Sequence, residues 1–268
     1  LIFKKMKLDF HKFHGNGNDF ILIDNLTKPV NLTAEQIARI CHRRFGVGAD
    51  GLIEINPSAT EDFSMKYYNA DGYEGTMCGN GGRCAAAFAH LKGYVSNKMR
   101  FEAIDGFHLA EIERELKKET AWHVAIQLRD VSEIKPIEGG FYIDTGSPHV
   151  VLFTDHLDNM DVFKEGKKIR ESADYNPDGV NVNFVKVSDE VLKVRTFERG
   201  VEDETLSCGT GVTAAAIAAS RLYKKNSWQV ITSGGDFQID FEMDESKVWR
   251  VWLRGPAELI CSGMIKLD

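Results

Sequence analysis

Three landmarks recur in the same order along this chain of 268 residues, and that duplication limits the possible folds more than any other feature. The first is a Gly-containing turn before an apolar run. Gly15-Asn16-Gly17-Asn18-Asp19 precedes Phe20-Ile21-Leu22-Ile23, and Gly146-Ser147-Pro148-His149 precedes Val150-Val151-Leu152-Phe153. The second is Asp50-Gly51 before Leu52-Ile53-Glu54-Ile55, matched by Asp178-Gly179-Val180-Asn181-Val182-Asn183 before Phe184-Val185-Lys186-Val187. The third is the sharpest. Cys78-Gly79-Asn80-Gly81 opens a run containing Ala85, Ala86 and Ala89, and Cys208-Gly209-Thr210-Gly211 opens one containing Ala215, Ala216 and Ala219. A Glu stands four residues before each Cys, Glu74 and Glu204. Gly15 and Gly146, Leu52 and Phe184, and Cys78 and Cys208 lie 131, 132 and 130 positions apart. Gly-rich turns before strands are common, so one match would carry little. Three in order at a near-constant offset indicate duplicated halves related by a pseudo-twofold.

Short apolar runs after such turns read as buried strands. Strands are predicted near 8–13, 20–24, 52–55, 63–68, 99–103, 108–113 and 122–128. The second half repeats them near 141–144, 149–153, 182–187, 191–197, 228–232, 236–242 and 248–254. Phe63, Met65 and Tyr67 alternate onto one face, and Val248, Val251 and Leu253 roughly share another. Thr33 and Gln36 form a capping box for a helix over 34–44. The other two clear helices, 80–92 and 210–223, are dense in Ala and apolar nearly all round, the mark of a buried helix. The predicted fold is therefore α+β and strand-rich, with two halves each wrapped around its own central helix. The boundaries are placed at 1–120 and 121–257, with a C-terminal strand over 258–268 packed on the first half.

Bulk properties narrow the function. The net charge of −7 argues against a nucleic-acid binder, whose footprint is basic. No apolar run reaches the eighteen or so residues needed to cross a bilayer. Residues 1–6 lack a long apolar segment and a cleavage site, so they do not read as a secretory signal, and Met6 reads as a natural start. Five cysteines, odd in number and sparse, do not make a disulfide framework and fit a reducing cytoplasm.

Cys78 and Cys208 each precede a Gly-x-Gly turn at a helix start. The first N–H groups of a helix have no internal partner and, with the macrodipole, favour negative charge. A thiolate is stabilised there, its pKa falling below the free value of about 8.5. Gly lets a ligand's carboxylate approach the backbone closely. Two such sites facing one another across a pseudo-twofold suit a stereochemical inversion, in which one thiolate removes a proton from a carbon and the opposing thiol protonates its other face. A thiol pKa near working pH serves both steps. A lone Cys is more often a small buried hydrophobe, which is the expectation for Cys41, Cys84 and Cys261. Cys78-x5-Cys84 lacks zinc-ligand spacing, and neither Gly-x-Gly turn completes a phosphate or dinucleotide loop.

The run Asn69-Ala70-Asp71-Gly72-x-Glu74-x-x-Met77-Cys78-Gly79-Asn80-Gly81-Gly82-Arg83-Cys84 resembles the first active-site signature of the diaminopimelate epimerases. Glu198-Arg199-Gly200, followed by Glu204-Thr205-Leu206-Ser207-Cys208-Gly209-Thr210-Gly211, resembles the second. His14 to Phe20, Gly146 to His149 and Gly179-Val180-Asn181 match three further family segments, so the resemblance covers nearly the whole chain. It implies a mostly antiparallel, barrel-like sheet around a central helix in each half, and commonly a homodimer. It also implies interconversion of LL- and meso-2,6-diaminopimelate, without cofactor or metal, in lysine and cell-wall precursor synthesis. Cys78 and Cys208 match the acid–base pair, and His149 and Glu198 the residues that tune the thiols. Asn18, Asn69, Asn181, Glu198 and Arg199 match substrate contacts, with the helix starts Gly79-Asn80 and Gly209-Thr210. A guanidinium fork suits the distal carboxylate of such a substrate.

The chain departs from the family pattern in three places. Gly51 stands where some members carry Gln, Ser147 stands where Asn is frequent, and the stretch Gly200 to Glu204 is one residue longer. Two rivals have distinct marks. Proline and hydroxyproline racemases carry a His after the first Cys-Gly, where this chain has Asn80. A non-catalytic amino-acid-binding protein of the same fold has no need of two thiols.

Overall fold

A computed structural model describes residues 6–267; the stretch 1–5 and the last residue lie outside the described residues. The chain divides into two compact units, one running up to Ile126 and resuming at Pro256, the other Gln127–Gly255. In the first unit the order is β1 (Met6–Gly15), β2 (Asn18–Asp24), α1 (Ala34–Cys41), β3 (Gly51–Asn56), β4 (Phe63–Asn69), α2 (Gly79–Leu91), β5 (Lys98–Ala103), β6 (Gly106–Lys117) and β7 (Ala121–Gln127). The second unit follows with β8 (Ile134–Ile137), β9 (Gly140–Asp144), β10 (Pro148–Phe153), α3 (Val162–Arg170), β11 (Asn181–Ser188) and β12 (Val191–Glu198). It continues through β13 (Asp203–Thr205), α4 (Gly209–Tyr223), β14 (Ser227–Thr232) and β15 (Gly235–Met243). The last strand, β16 (Val248–Leu267), begins in the second unit and ends in the first.

The duplication read from the sequence is visible in the strand pairing. From β1 to β6 successive neighbours pair antiparallel, parallel, antiparallel, parallel and antiparallel. The series β9, β10, β11, β12, β14 and β15 repeats that alternation. A parallel pair needs a crossover, and each of the four crossovers carries a helix. In the first unit the end of β16 pairs with β1, and the Leu259 N–H donates to the Thr120 carbonyl beside β7, which closes the sheet around α2.

Burial follows. Helix α2 packs against β1, β2, β3, β4 and β6, and α4 against β9 to β12, β14 and β15, so each has strands on several sides. Only small side chains allow that approach, and Ala85, Ala86, Ala87 and Ala89, like Ala214, Ala215, Ala216, Ala218 and Ala219, are fully buried. The outer face is covered by the other helix of each unit. Ile37, Ile40 and Cys41 of α1 pack with Phe10, Ile21, Ile23 and Leu52, while Val162 of α3 packs with Val150, Val182, Phe184 and Phe197. Strands β2 and β11 are thus buried on both faces and read as continuous apolar runs rather than alternating ones.

Four features differ from the sequence reading. Helix α1 stops at Cys41 instead of 44: His42 takes an extended ψ of 119°, and its Nδ1 accepts from the Arg44 and Phe45 N–H groups, turning the chain away. Helix α3 was not predicted, although it is α1's counterpart in the repeat and Asp161 caps the Lys164 N–H. Short strands β8 and β13 were also missed. Cys261 is exposed rather than core, because it sits on an outward run of β16 opposite Lys12. In the same strand Val248 and Val251 share the buried side despite their odd spacing, since Arg250 at φ +52° adds a bulge to the register against β15.

Gly166 in α3 lies against Phe197, where an added Cβ would stand 2.3 Å from the Phe197 Cβ. Helix propensity favours Ala there by about 1 kcal/mol, but overpacking a buried ring costs about 1–3 kcal/mol. Gly166→Ala is expected to lower the urea midpoint, and a raised midpoint would show that α3 does not pack as described.

Candidate active site

The residues singled out in the sequence fall at equivalent points of the two repeats: the ends of strands and the first turn of the buried helix. Asn18 opens β2 and His149 stands at the start of β10; Asn69 ends β4 and Glu198 ends β12. Cys78 and Cys208 are the N-cap residues of α2 and α4, with extended φ, ψ of −101°, 127° and −129°, 111°. The carbonyl of each accepts the first helical bond, from Gly82 N–H at 2.8 Å and Val212 N–H at 2.9 Å. The helix itself cannot pair the N–H groups ahead of these, which belong to Gly79, Asn80 and Gly81 in one unit and Gly209, Thr210 and Gly211 in the other.

In the first unit Cys78 Sγ lies 3.6 Å from Asn18 Oδ1, which also accepts from Asn80 Nδ2 at 3.3 Å. Asn18 Nδ2 donates to Asp50 Oδ2 at 2.7 Å, and Asp50 Oδ1 is held by Arg43 at 2.6 Å. Arg83, fully buried beneath the first turn of α2, donates to Asn16 Oδ1 at 2.6 Å and Asn80 Oδ1 at 2.9 Å. Burial lowers the pKa of Arg83 to about 10, so it stays charged at neutral pH. Asn69 is engaged by a different partner, the Tyr67 hydroxyl, which donates to its Oδ1 at 3.0 Å. At Gly51 the place of a side chain is taken by that same Tyr67, whose ring would lie 2.5 Å from an added Cβ.

In the second unit a continuous chain of hydrogen bonds joins the predicted residues. Cys208 Sγ is 3.4 Å from Thr210 Oγ1, Thr210 Oγ1 is 3.3 Å from Ser147 Oγ, and Ser147 Oγ is 3.0 Å from His149 Nε2. Asn183 Nδ2 meets His149 Nδ1 at 3.0 Å. Asn181 Nδ2 donates to Ser147 Oγ at 3.3 Å, and its Oδ1 accepts from the Arg199 N–H at 2.9 Å. Glu198 Oε2 accepts from Thr205 Oγ1 at 2.8 Å. The longer loop after Arg199 turns back at Glu202, whose carboxylate takes the Gly200 N–H and pairs with Arg170. Burial, and then the Arg199 charge, pushes the His149 ring down to about 3, so it is neutral at working pH. The sequence reading assigned no role to Tyr67, Asp50, Arg83 or Asn183. Asn183 could have been found from its spacing: it lies two residues after Asn181, on the same face of an apolar strand.

The buried Cys41 and Cys84 thiols stay protonated at neutral pH. Burial drives Cys41 up to about 12 and raises Cys84 as well. In the second unit Arg199 lines a cavity of about 700 Å³ with Tyr142, Tyr175, Asp178 and Pro148, and donates to the Asp178 carbonyl at 3.3 Å. Among the described residues no group of three or more His, Cys, Asp or Glu side chains gathers as metal ligands would, and no helix is long and apolar enough to cross a membrane.

A strand-wrapped helix capped by a cysteine in each of two repeated units defines a class. Among solved structures, a phenazine biosynthesis protein of the PhzF family from Bacillus anthracis superposes with a TM-score of 0.77 at 15% identity, over 97% of this chain and 99% of that one. A probable proline racemase from Agrobacterium radiobacter gives 0.73 at 14% identity, over 97% and 93%. At such identities these likenesses establish the fold alone. The family is shown by sequence. The model of the diaminopimelate epimerase family matches residues 10–126 and 141–260. A diaminopimelate epimerase of Flavobacterium psychrophilum is 46% identical, over 95% of this chain and 98% of that protein. One of Chlorobaculum tepidum is 45% identical, over 94% and 99%. The chain belongs to the diaminopimelate epimerase family.

The depressed pKa of His149 has a consequence for stability. The unfolded chain protonates this residue near 6.5, whereas the folded chain keeps it neutral down to about 3. Its contribution is therefore whole above about 6.5 and is lost progressively as pH falls. Between pH 7.5 and 5, His149→Gln should lose less of its urea midpoint than the parent protein. Parallel curves would show that the ring is not buried neutral.

Proposed function

We propose that Cys78 and Cys208 interconvert LL- and meso-2,6-diaminopimelate by moving one proton at the α-carbon, without a cofactor. The observation that carries this reading is that each unit caps its buried helix with a cysteine, in a chain that matches the diaminopimelate epimerase family over most of its length. One thiolate takes the α-proton and the other thiol supplies a proton to the opposite face of the same carbon. The first-turn N–H groups of Gly79, Asn80, Gly209 and Thr210 hold the carboxylate of the reacting end and the charge that develops beside it. Arg199 binds the distal carboxylate as a bidentate fork. Asn18, Asn69 and Asn181 offer both donors and acceptors, which suits an ammonium and a carboxylate together. His149 acts as a neutral, orienting donor rather than as an acid, and Glu198 completes the set near the substrate. The homodimer and cytoplasmic location implied by the family resemblance belong to the same proposal.

The test is a single assay. Purified protein under reducing conditions, without pyridoxal phosphate, should convert the LL isomer to the meso form. Cys78→Ala and Cys208→Ala should each lower turnover by at least about a thousandfold, within the range for loss of an acid–base group. Cys41→Ala should retain activity. Inversion of proline with none of diaminopimelate would overturn the substrate, and full activity in both active-site variants would overturn the two-thiol reaction.

A further inference from the structure

The hydrogen bonds around the two cysteines start from groups that can act in only one sense, and these groups face the two sulfurs with opposite polarity. In the second unit Asn183 Nδ2 lies 3.2 Å from the Val150 carbonyl, which can only accept, while Asn183 Oδ1 receives the Thr196 hydroxyl at 2.9 Å. Asn183 Nδ2 is therefore a donor, so His149 Nδ1 accepts and the ring proton sits on Nε2. Nε2 in turn donates to Ser147 Oγ. Asn181 is fixed the same way: its Oδ1 accepts the Arg199 N–H and its Nδ2 faces the Pro148 carbonyl at 3.1 Å, so Nδ2 also donates to Ser147 Oγ. With two donors on its oxygen, Ser147 turns its own proton toward Thr210 Oγ1, which leaves the Thr210 proton available to Cys208 Sγ. Thr210 is held in register by the Thr145 hydroxyl, which donates to its carbonyl at 3.0 Å. Gly211 leaves room for Asn183, whose Oδ1 would stand 2.3 Å from an added Cβ.

In the first unit the sense is reversed. Arg83 can only donate, so Asn80 Oδ1 faces it and Asn80 Nδ2 donates to Asn18 Oδ1. Asp50 Oδ2 already accepts the Asp19 N–H and takes Asn18 Nδ2 as well. Asn18 Oδ1 is thus turned toward Cys78 Sγ, and an amide oxygen there can only accept an S–H proton.

We infer that in the resting protein Cys208 is the thiolate and Cys78 the thiol, with Ser147 and Asn183 as positioning residues that set this order. The inference rests on the two-thiol reading of the function. The ionisable neighbours divide: those of the second unit leave the order to the hydrogen bonds, whereas Arg83 in the first unit favours charge on Cys78 and works against it. On the second unit's strand ends they are His149, Glu198 and Glu204. His149 is neutral, Glu198 accepts from Thr205, and Glu204 is paired with Arg195 at 2.7 Å. On the first unit they are Asp19 and Asp50, both paired with Arg43, and Arg83. Arg83 attracts negative charge on Cys78, and so steadies that sulfur once it has given up its proton to the carbanion. The cycle then runs in the other direction with the roles exchanged.

Substrate-free alkylation with iodoacetamide, read peptide by peptide by mass spectrometry between pH 5.5 and 9, tests this order apart from turnover. Loss of the function above would show in the conversion assay and not here. Cys208 is 7% exposed and Cys78 is half-buried, so access alone makes Cys78 the faster to react. The expected result is the reverse: Cys208 labels with a midpoint about one pH unit below that of Cys78, the scale of one charge-assisted hydrogen bond. Ser147→Ala should raise the Cys208 midpoint and leave that of Cys78 in place, and Ser147→Thr, which keeps the hydroxyl, should restore it. A Cys78 midpoint at or below that of Cys208 overturns the inference, as does a Ser147→Ala variant with an unchanged Cys208 midpoint. If Ser147→Ala does not fold, the two midpoints of the parent protein decide alone.

Discussion

A helix enclosed by strands must still begin, and its first N–H groups demand a partner that the helix cannot supply. In this protein the requirement arises twice, at Cys78 and at Cys208, because the same crossover is built twice. The Gly residues of the first turn keep the backbone accessible to a ligand. A sulfur placed at such a point meets a field that favours negative charge. The same geometry that makes the core therefore makes the candidate site, with Asn18, His149, Asn181 and Glu198 at strand ends of their units.

Much of this was legible in the chain itself. Strand positions came from apolar runs, which are strongest where both faces are covered, as in β2 and β11. The two central helices announced themselves through alanine content, and α1 through a capping box that the structure contains. The signal for α3 was weaker, because its outer face is charged and its inner face has few apolar residues, with Val162 and a glycine, Gly166, buried against Phe197. The repeat held the missing information, since α1 required a counterpart. Strand β13 is three residues long and pairs only with β12, so no periodicity could reveal it. Cys261 went the other way: a cysteine's general preference for the interior yielded to its outward place on β16.

The residues of the candidate site could be named from the sequence, but their hydrogen-bond partners could not. Ser147 reads in sequence as a shortened Asn with less reach. Its place two residues from His149 puts its oxygen within hydrogen-bond reach of His149, Asn181 and Thr210. Asn183 and Arg83 carried no motif that named a role, yet the first meets His149 Nδ1 and the second donates to the Asn80 amide oxygen. Such roles depend on which atom of an amide faces a carbonyl, and spacing along a chain does not encode that. Tyr67, which stands over Gly51 and holds Asn69, likewise belongs to packing across β3 and β4 rather than to a local pattern.

Two monoprotic thiols acting as proposed for Cys78 and Cys208 would leave a particular isotopic record. A thiol carries a single proton, so the group that abstracts cannot be the group that returns a solvent deuteron to the other face. The most direct measurement is the early time course in deuterated water, started separately from the LL and the meso isomer, with deuterium located in product and in recovered substrate. Two thiols predict that the product carries deuterium at the inverted α-carbon while recovered substrate remains protiated, in both directions. Deuterium entering recovered substrate as fast as product would mean that one group serves both faces, and would contradict the account.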